Sequence, residues 1–408
     1  MFNEILQKIN IREIIFLSFF VRIASLILYP SKVLPDTYTY LKIGEEIFSG
    51  KIIQTPLHMP GYGIWMFLFN FITQNNYGVI IGDIVISCLT VYVIYLLSYE
   101  IFKKKEISII SALIFALYPF SIFYSISALS ETLFVFLLLL SILMFYRNDF
   151  FYGSLLIILS IYIKPTPDIF APFLILIFSL VIKKYSFKKS IFHLCIYYTL
   201  YILLLSPWWF HNWKKYDGFV RINLSGGYHL YSGNNIKNKT GGGIGGIDVD
   251  HSKIIERFNL EYKVYQFNKE GILTERASSD YIKSDKVFKE KAYNYILEDP
   301  NRFLKVSIKK FYRFWSFVPY AKEYKNLTYS IISFVSFGFV FFLSMIFLLQ
   351  NFKSYFYKIS PLLIFIGLIT AIYTLTIVSL RYRYPIEPIM IIFASFSLKR
   401  ILKFYKLL

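Results

Sequence analysis

Residues 34–63 contain a carboxylate placed where it could accept a proton. Asp36 follows Pro35 shortly after the first long apolar run of the chain. A carboxylate there could act as a general base for an attacking hydroxyl. If the leaving group is a phosphate, no general acid is needed, because a departing phosphate is already a weak base; it needs cations around it. The alternative is that Asp36 caps a helix predicted over residues 37–48.

A second acid and several cations interrupt apolar sequence further along the chain. Glu131 stands in ALSETLFVF, where Ser130 could equally be an N-cap with Glu131 favoured by the helix dipole. Lys164 lies in the turn IKPTP, and Arg381 and Arg383 lie in RYRYP. Arginine offers a planar fork to phosphate and lysine a point charge. The alternative for these cations is snorkelling at helix ends.

Three further side chains could line the same cleft. His58 could add a hydrogen-bond donor, although a single histidine is more often structural. Tyr40 follows Asp36 by one helical turn, and Tyr62 lies in HMPGYG; both could instead belong to an interfacial aromatic belt. No metal site is predicted, because the acids and histidine of residues 248–251 match no metal motif and the first loop offers one acid. A divalent metal is therefore not favoured as a cofactor.

The composition is that of a polytopic membrane protein rather than a soluble domain. Of 408 residues, 56% are hydrophobic, 20% aromatic and 17% charged, and the mean hydropathy is +0.52. The net charge of +19 comes without a nucleic-acid-binding motif, so Lys/Arg-rich loops on one side of a membrane explain it better than nucleic acid. Cys88 and Cys195 lie within apolar runs and are interpreted as packing residues.

Ten apolar runs predict about ten transmembrane helices, and a further segment at 61–73 is predicted to lie near the surface. The first run is expected to be a retained span rather than a cleaved signal peptide. The runs are 13–29, 77–101, 107–125, 131–146, 150–163, 168–182, 190–206, 327–350, 359–379 and 384–398.

With ten spans, most positive charge falls on one side of the membrane, which is then the cytoplasm. The other side receives residues 30–76, Glu131, Lys164, the segment 207–326, Arg381 and Arg383. Charges at membrane depth are costly and usually functional. The sequence thus predicts one external site, in a chain divided into an N-terminal membrane module (1–206, with its first external loop at 30–76), an external domain of mixed structure (207–326) and C-terminal helices (327–408).

The series of motifs resembles the bacterial GT-C membrane glycosyltransferases, namely glycosyltransferase family 39 and its aminoarabinose-transferase-like relatives in the dolichyl-phosphate-mannose protein mannosyltransferase superfamily. The likeness is carried by Asp36 with Tyr40 and HMPGYG, by ALYPFSIFYSISALSETLF, by IKPTP, by SPWWFHNWKKYDGFVRINLSGGYHLYSGNN, by EKAYNYILEDPNRFLKVSIKKFYRFW and by RYRYPIEPIM. These motifs run in the family's order over most of the chain.

The resemblance implies an inverting transferase that uses a polyprenyl-phosphate sugar on the periplasmic side of the bacterial inner membrane. It implies Asp36 as base, Glu131 as second acid, and Lys164, Arg381 and Arg383 near the phosphate. The acceptor would be an envelope glycan, a lipid or a protein. Thr37, where relatives often carry a second acid, and Met59, where an aminoarabinose transferase has lysine, depart from the pattern. So does His211, which stands where arginine is common.

The hypothesis from the sequence is therefore an integral membrane glycosyltransferase with membrane lipids around it and no nucleic acid as partner. Two alternatives remain open at this stage. One is a flippase or transporter of lipid-linked sugars, which would also need cations near a phosphate but at several depths along a path. The other is a structural scaffold for envelope assembly.

Overall fold

A computed structural model shows a chain built mainly of helices. It describes residues 9–29, 34–51, 53, 58–75, 77–236, 238, 240–242, 266–267, 273–275, 281–320 and 324–404. In chain order the elements are α1 (Ile11–Leu28), α2 (Pro35–Phe48), α3 (Gly61–Thr73), α4 (Val79–Phe102), α5 (Lys105–Ala116), α6 (Pro119–Ser125), α7 (Glu131–Tyr146), α8 (Phe150–Ile163), α9 (Pro167–Ile177, continued by a π-helical turn Phe178–Ile182), α10 (Phe187–Tyr216), α11 (Gly226–Asn234), β1 (Gln266–Phe267), β2 (Leu273–Glu275), α12 (Tyr281–Glu298), α13 (Pro300–Phe314), α14 (Leu327–Leu375), α15 (Leu380–Arg383, followed by a 3-10 turn Tyr384–Ile386) and α16 (Glu387–Phe404).

The apolar helices indicate a membrane-embedded protein, because helices satisfy their backbone hydrogen bonds internally. Among the described residues, three helices are long and apolar enough to cross a membrane: α4, α10 and α14. The bent pair α5 and α6 makes a fourth if it is counted as one span. The shorter apolar helices are α3, α7, α8 and α9 with its π-helical turn. The number of ten spans stays a prediction.

The long helix α14 folds back on itself. Phe337, near its start, packs on Trp315, while Tyr373, near its end, packs on the neighbouring Phe314. These ring contacts each span 6.5 Å or less, whereas a straight helix would separate Phe337 from Tyr373 by about 54 Å. The two halves therefore run in opposite directions, as the two predicted runs 327–350 and 359–379 require.

The break between α5 and α6 has a physical cause in α1. The two helices meet at an angle of 56°, which leaves backbone carbonyls at the end of α5 without helical partners. Arg22 of α1 is fully buried there, and it donates to the Ala116 carbonyl at 3.0 Å and to Ser121 Oγ at 2.9 Å. Its Nε donates to Ser87 at 2.8 Å. Arg22, a charged residue inside the first predicted span, is thus stabilised by polar groups at the bend between α5 and α6.

Basic residues gather at one end of α7, opposite Glu131. At that end Lys183 donates to the Tyr146 carbonyl at 2.6 Å, and the Tyr146 hydroxyl donates to the Lys358 carbonyl. Arg147 pairs with Glu100 at 3.4 Å. A helix of this length is about 24 Å long, so these cations and Glu131 lie at opposite ends of the helical bundle. This separation agrees with the two-sided charge pattern predicted from the sequence.

The region after residue 206 contains its own small core. Residues 207–216 continue α10, so the helix passes the predicted domain boundary at 207. Beyond it, α11 and α12 pack around a second cluster of buried residues, and β1 pairs with β2 in an antiparallel ladder. The domain boundaries and the mixed character of 207–326 stay predictions. The buried residues of the cluster are Val220, Leu224, Tyr231, Phe288 and Ala292.

A buried ion pair ties the start of α16 to the end of α13. Arg383 Nε donates to Glu387 Oε1 at 2.6 Å, and its NH1 donates to the carbonyls of Phe314 at 3.2 Å and Ser316 at 2.5 Å. The other oxygen of Glu387 accepts from Tyr118 at 2.9 Å. Both charged side chains are essentially inaccessible to solvent. Removing one partner would leave an uncompensated buried charge.

We expect Arg383→Met to destabilise the folded protein by about 3 kcal/mol or more. The reason is that Glu387 would keep a buried charge without its cation. The measurement is thermal unfolding of purified protein in detergent. Replacing both Arg383 and Glu387 by methionine should recover part of the loss.

The exposed pair Lys286 and Glu290, 4.0 Å apart, supplies the control. Lys286→Met should leave the unfolding temperature nearly unchanged, because exposed ion pairs contribute little. An Arg383→Met protein as stable as the unmodified one would contradict the structural role given to this pair.

Candidate active site

Four charged side chains from distant parts of the chain meet in one ion cluster. Arg381 bridges two carboxylates: its NH1 donates to Asp36 Oδ2 at 2.5 Å, and its Nε donates to Glu131. Lys164 Nζ lies 2.5 Å from the same oxygen of Glu131. We call Asp36, Glu131, Lys164 and Arg381 the ion cluster. The structure thus brings together four of the residues that sequence reasoning selected.

The first turn of α2 presents Asp36. Pro35 begins the helix, and Leu34 occupies the N-cap position without a side-chain hydrogen bond. Asp36 therefore lies inside the helix and is not its N-cap, which removes the structural alternative considered from the sequence. An acid in the first turn is favoured by the helix dipole. Its carboxylate is free to pair with Arg381.

Glu131 is the first residue of α7, and the residue before it does not cap the helix with its side chain. Ser130 occupies the N-cap position but makes no capping bond with its side chain. Its Oγ instead lies 3.0 Å from the Tyr40 hydroxyl. This contact fixes α2 against the start of α7, which sets the relative positions of Asp36 and Glu131.

Both cations of the ion cluster stand where helices end or begin. Lys164 is the C-cap residue of α8, where Pro165 follows. Arg381 is in the short helix α15, where the Ser379 hydroxyl accepts from the Arg381 backbone N–H at 3.4 Å. Both side chains bind carboxylates of the cluster instead of reaching outward, so snorkelling does not describe them.

The ion cluster has a buried floor and a partly open mouth. The Glu131 side chain is 1% exposed and Lys164 is 14% exposed, whereas Arg381 and Asp36 are 25% and 31% exposed. The second oxygen of Glu131 is buried and has no hydrogen-bond partner among the described residues. An incoming molecule would therefore meet Asp36 and Arg381 first, with Glu131 behind them.

The electrostatics of the mouth keep Asp36 ionised. Burial acts to raise the pKa of Asp36, but the charge of Arg381 outweighs it and holds this pKa below its ordinary value. Burial lowers the pKa of Lys164 to about 8, against the opposing charge of Asp36. Burial also lowers the pKa of His58, so this ring is neutral at neutral pH. A carboxylate held this firmly by a cation is a weak base until that cation is engaged elsewhere.

The remaining cleft residues pack beside Asp36. His58 Nε2 lies 4.0 Å from Asp36 Oδ1, and its ring lies 4.9 Å from that of Tyr40. The Tyr40 ring also meets Tyr62 at 4.9 Å in an edge-to-face contact. Tyr62 is fully buried and donates to Asp83 at 2.6 Å. Tyr62 therefore supports Tyr40 from behind and does not face the mouth of the ion cluster.

The structure does not bring Arg383 to the ion cluster. Its guanidinium is committed to Glu387 and two backbone carbonyls, and it is buried with them. The reason is local: α15 is a single helical turn, so Arg381 and Arg383 project in different directions. The sequence prediction of Arg383 as a phosphate ligand is not supported by this placement.

Sequence reasoning also missed residues that shape the site. Asp83 interrupts an apolar run, and it accepts from Trp65 Nε1 at 3.1 Å as well as from Tyr62. Such an interruption by an acid was a detectable signal. His229, in the motif SGGYHLYSGNN, lies within electrostatic range of His58 and Asp36, and burial lowers its pKa to about 4. The acids and histidine at 248–251, considered for a metal, lie outside the described residues.

The ion cluster is poorly suited to a divalent metal. In the part of the chain that the structure describes, no group of three His, Cys, Asp or Glu side chains could hold a metal ion. Asp36 and Glu131, the two carboxylates of the ion cluster, are already paired with Arg381 and Lys164. A divalent cation prefers several oxygen ligands, and here the guanidinium occupies the position between them.

Comparison with solved structures shows the same fold in an archaeal enzyme. The apo oligosaccharyltransferase of Archaeoglobus fulgidus superposes with a TM-score of 0.59 at 15% identity, over 97% of this chain and 51% of that chain. Archaeal oligosaccharyltransferase AglB from Archaeoglobus fulgidus in complex with an inhibitory peptide and a dolichol-phosphate gives 0.58 at 15% identity, over 96% and 50%. The form of this oligosaccharyltransferase in complex with Zn and sulfate gives 0.55 at 14% identity, over 96% and 49%.

These comparisons bear on the fold and not on a family. No protein-family model matches the chain, and no curated protein matches its sequence significantly. The chain spans about half of the length of the solved structures it resembles. At this level of identity the likeness establishes the architecture alone, and the chain therefore has the fold seen in the archaeal oligosaccharyltransferase.

Proposed function

We propose that this protein is a membrane glycosyltransferase that moves a sugar from a polyprenyl-phosphate donor to an acceptor hydroxyl, with inversion at the anomeric carbon. The observation that carries the proposal is the ion cluster: a partly open carboxylate, Asp36, lies against an arginine that a second carboxylate and a lysine hold in place. The fold supports it, since an archaeal oligosaccharyltransferase shares this architecture.

Charge accounts for the choice of a phosphate-linked donor. The ion cluster holds two carboxylates and two cations, and its mouth exposes Arg381 more than any other cation of the cluster. A departing phosphate requires preorganised cations rather than a proton, and the arginine fork suits phosphate oxygens. One solved structure with this fold holds a dolichol-phosphate, which supports a lipid phosphate as the ligand class.

The reaction then follows from the roles of the individual groups. The acceptor hydroxyl oxygen attacks the anomeric carbon, and its proton passes to Asp36. The bond from that carbon to the phosphate oxygen breaks, and its electron pair leaves with the lipid phosphate. Arg381 and Lys164 hold the phosphate that carries this charge. As Arg381 turns toward the phosphate, its hold on Asp36 weakens, which lets the carboxylate act as a stronger base.

Glu131 serves in this scheme by positioning the cations. It is buried on the floor of the cluster and bonds to both Arg381 and Lys164. Because Asp36 is far more exposed than Glu131, an acceptor would meet Asp36 first. The sequence hypothesis of Glu131 as a second catalytic acid is thereby narrowed to the proposal that it orients the phosphate-holding residues.

The acceptor and the location belong to the proposal as well. A glycan, a lipid or a protein could supply the hydroxyl; an acceptor peptide tethered to a solved structure of the same fold supports the last of these as one class to test. The cations at the far end of α7 favour a cytoplasmic position for that end. The ion cluster would then face the exterior or periplasm of a cytoplasmic membrane.

Asp36→Asn should lower the rate of transfer from a short-chain polyprenyl-phosphate sugar by about 100-fold to 10,000-fold. An amide cannot accept the acceptor's proton. The measurement is turnover of purified protein in proteoliposomes. Glu45→Gln, an exposed acid on the same helix, should be as active as the unmodified protein. Undiminished turnover of Asp36→Asn would refute the base assignment.

The pH dependence of the transfer rate should reflect the loss of charge on Lys164. Because the pKa of Lys164 is lowered to about 8, the lysine is charged below this pH and loses its charge as the pH rises through it. We expect kcat/KM for the donor to fall above about pH 8, since this quantity follows groups of the free enzyme. Lys164→Arg, which stays charged, should extend activity to higher pH. An identical alkaline limb in both proteins would assign the decline to another group.

Transfer should also survive removal of divalent metals. Arg381 and Lys164 already neutralise the two carboxylates of the ion cluster, so the proposed step draws its positive charge from side chains. The test is turnover after exhaustive treatment with EDTA and buffer exchange. Loss of activity that Mn²⁺ or Mg²⁺ restores would contradict the assignment of this role to Arg381.

A further inference from the structure

A buried lysine lies at the junction of three helices, away from the ion cluster. Lys310 of α13 is fully buried. Its Nζ donates to Asn234 Oδ1 and to the Thr376 carbonyl, each at 2.8 Å, and it lies 3.5 Å from the Leu375 carbonyl. None of the described contacts of this amine is a carboxylate. A buried lysine without an acid is costly, so its retention calls for a structural reason.

Residues of α11 also contact the backbone at Leu375 and Thr376. Asn234 Nδ2 donates to the Leu375 carbonyl at 3.0 Å. Gly233 packs directly on this segment, and a Cβ at position 233 would lie 1.7 Å from the Thr376 carbonyl oxygen. Only glycine fits there without displacing the backbone. These two residues belong to the SGNN part of a motif that the ion cluster leaves unexplained.

The segment Leu375–Thr376 lies shortly before Arg381 of the ion cluster in the chain. Residues 375–376 end α14, where the Thr376 backbone departs from helical geometry at φ −103° and ψ −97°. Ser379 then caps α15, which carries Arg381. Arg381 therefore follows Thr376 by only five positions, and α15 is the only helix that begins between them. A shift of Leu375 and Thr376 would move the guanidinium relative to Asp36 and Glu131.

We propose that Lys310, with Asn234, is a positioning residue that sets where Arg381 meets the donor phosphate. The ammonium group supplies three donors, which match the three oxygens around it. Through this contact the helices α11 and α13 of the 207–326 region control the geometry of the ion cluster. This inference rests on the proposed function, in which Arg381 holds the phosphate.

Lys310→Met should weaken binding of a short-chain polyprenyl-phosphate sugar by about tenfold to a hundredfold, the range expected when a binding group is misplaced by about 1 Å. In turnover assays the donor KM should rise while the acceptor KM stays the same. If Lys310 only stabilised the fold, the substitution would not raise the donor KM while leaving the acceptor KM unchanged. Asn234→Ala, a milder change to the same contact, should shift donor binding in the same direction.

Lys183→Met is the matched control. This lysine also donates to a backbone carbonyl, that of Tyr146 at 2.6 Å, but at the opposite end of α7. It should leave donor affinity unchanged. In an Arg381→Ala background, Lys310→Met should cause no further loss of binding, because Lys310 acts through Arg381.

The outcomes separate this inference from the proposed function. If Arg381→Ala weakens donor binding but both Lys310→Met and Asn234→Ala bind as the unmodified protein does, the positioning role is overturned and the proposed function stands. A loss from Lys310→Met that adds fully to that from Arg381→Ala also overturns it. If Arg381→Ala itself leaves donor binding unchanged, both proposals fail.

Discussion

The guanidinium of Arg381 between the carboxylates of Asp36 and Glu131 is the contact on which the site depends. It joins Asp36, near the start of the chain, to Arg381, near its end, across 345 positions. Without it, two acids would face each other in a partly buried cleft at a substantial cost. With it, the cleft holds a neutral but highly polar cluster that an additional anion can enter only by recruiting one of its cations. The same contact therefore stabilises the resting site and, in the proposed function, makes it responsive to a phosphate.

Several features of the fold serve to bring Arg381 to that position. The long helix α14 reverses direction, so that its end returns to the level of α13. The buried pair of Arg383 and Glu387 fixes the start of α16 just beyond the cluster. The reversal of α14 precedes Arg381 in the chain, and the buried ion pair of Arg383 and Glu387 follows it. Two arginines of one motif thus have different roles: Arg381 belongs to the ion cluster, and Arg383 belongs to a buried ion pair.

Sequence reasoning reached the members of the ion cluster because charges inside apolar runs are rare and conspicuous. Glu131, Lys164 and Arg381 were selected on that ground and Asp36 because it follows the first apolar run, and charge distribution predicted that they share one end of the bundle. It could not distinguish Arg381 from Arg383, since the choice depends on how one helical turn projects its side chains. Nor could it see Lys310, which lies on a basic amphipathic helix where exposed lysines are expected; only packing shows that this one is buried.

A structure with a non-hydrolysable polyprenyl-phosphate sugar analogue tests most directly whether the ion cluster receives a lipid phosphate. We expect the phosphate within hydrogen-bond reach of Arg381 and Lys164, with the anomeric carbon facing Asp36. We also expect Arg381 to have moved away from Asp36 relative to the ligand-free protein. A phosphate bound elsewhere, for example among Lys183 and Arg147 at the opposite end of α7, with the contact between Arg381 and Asp36 unchanged, would contradict this expectation.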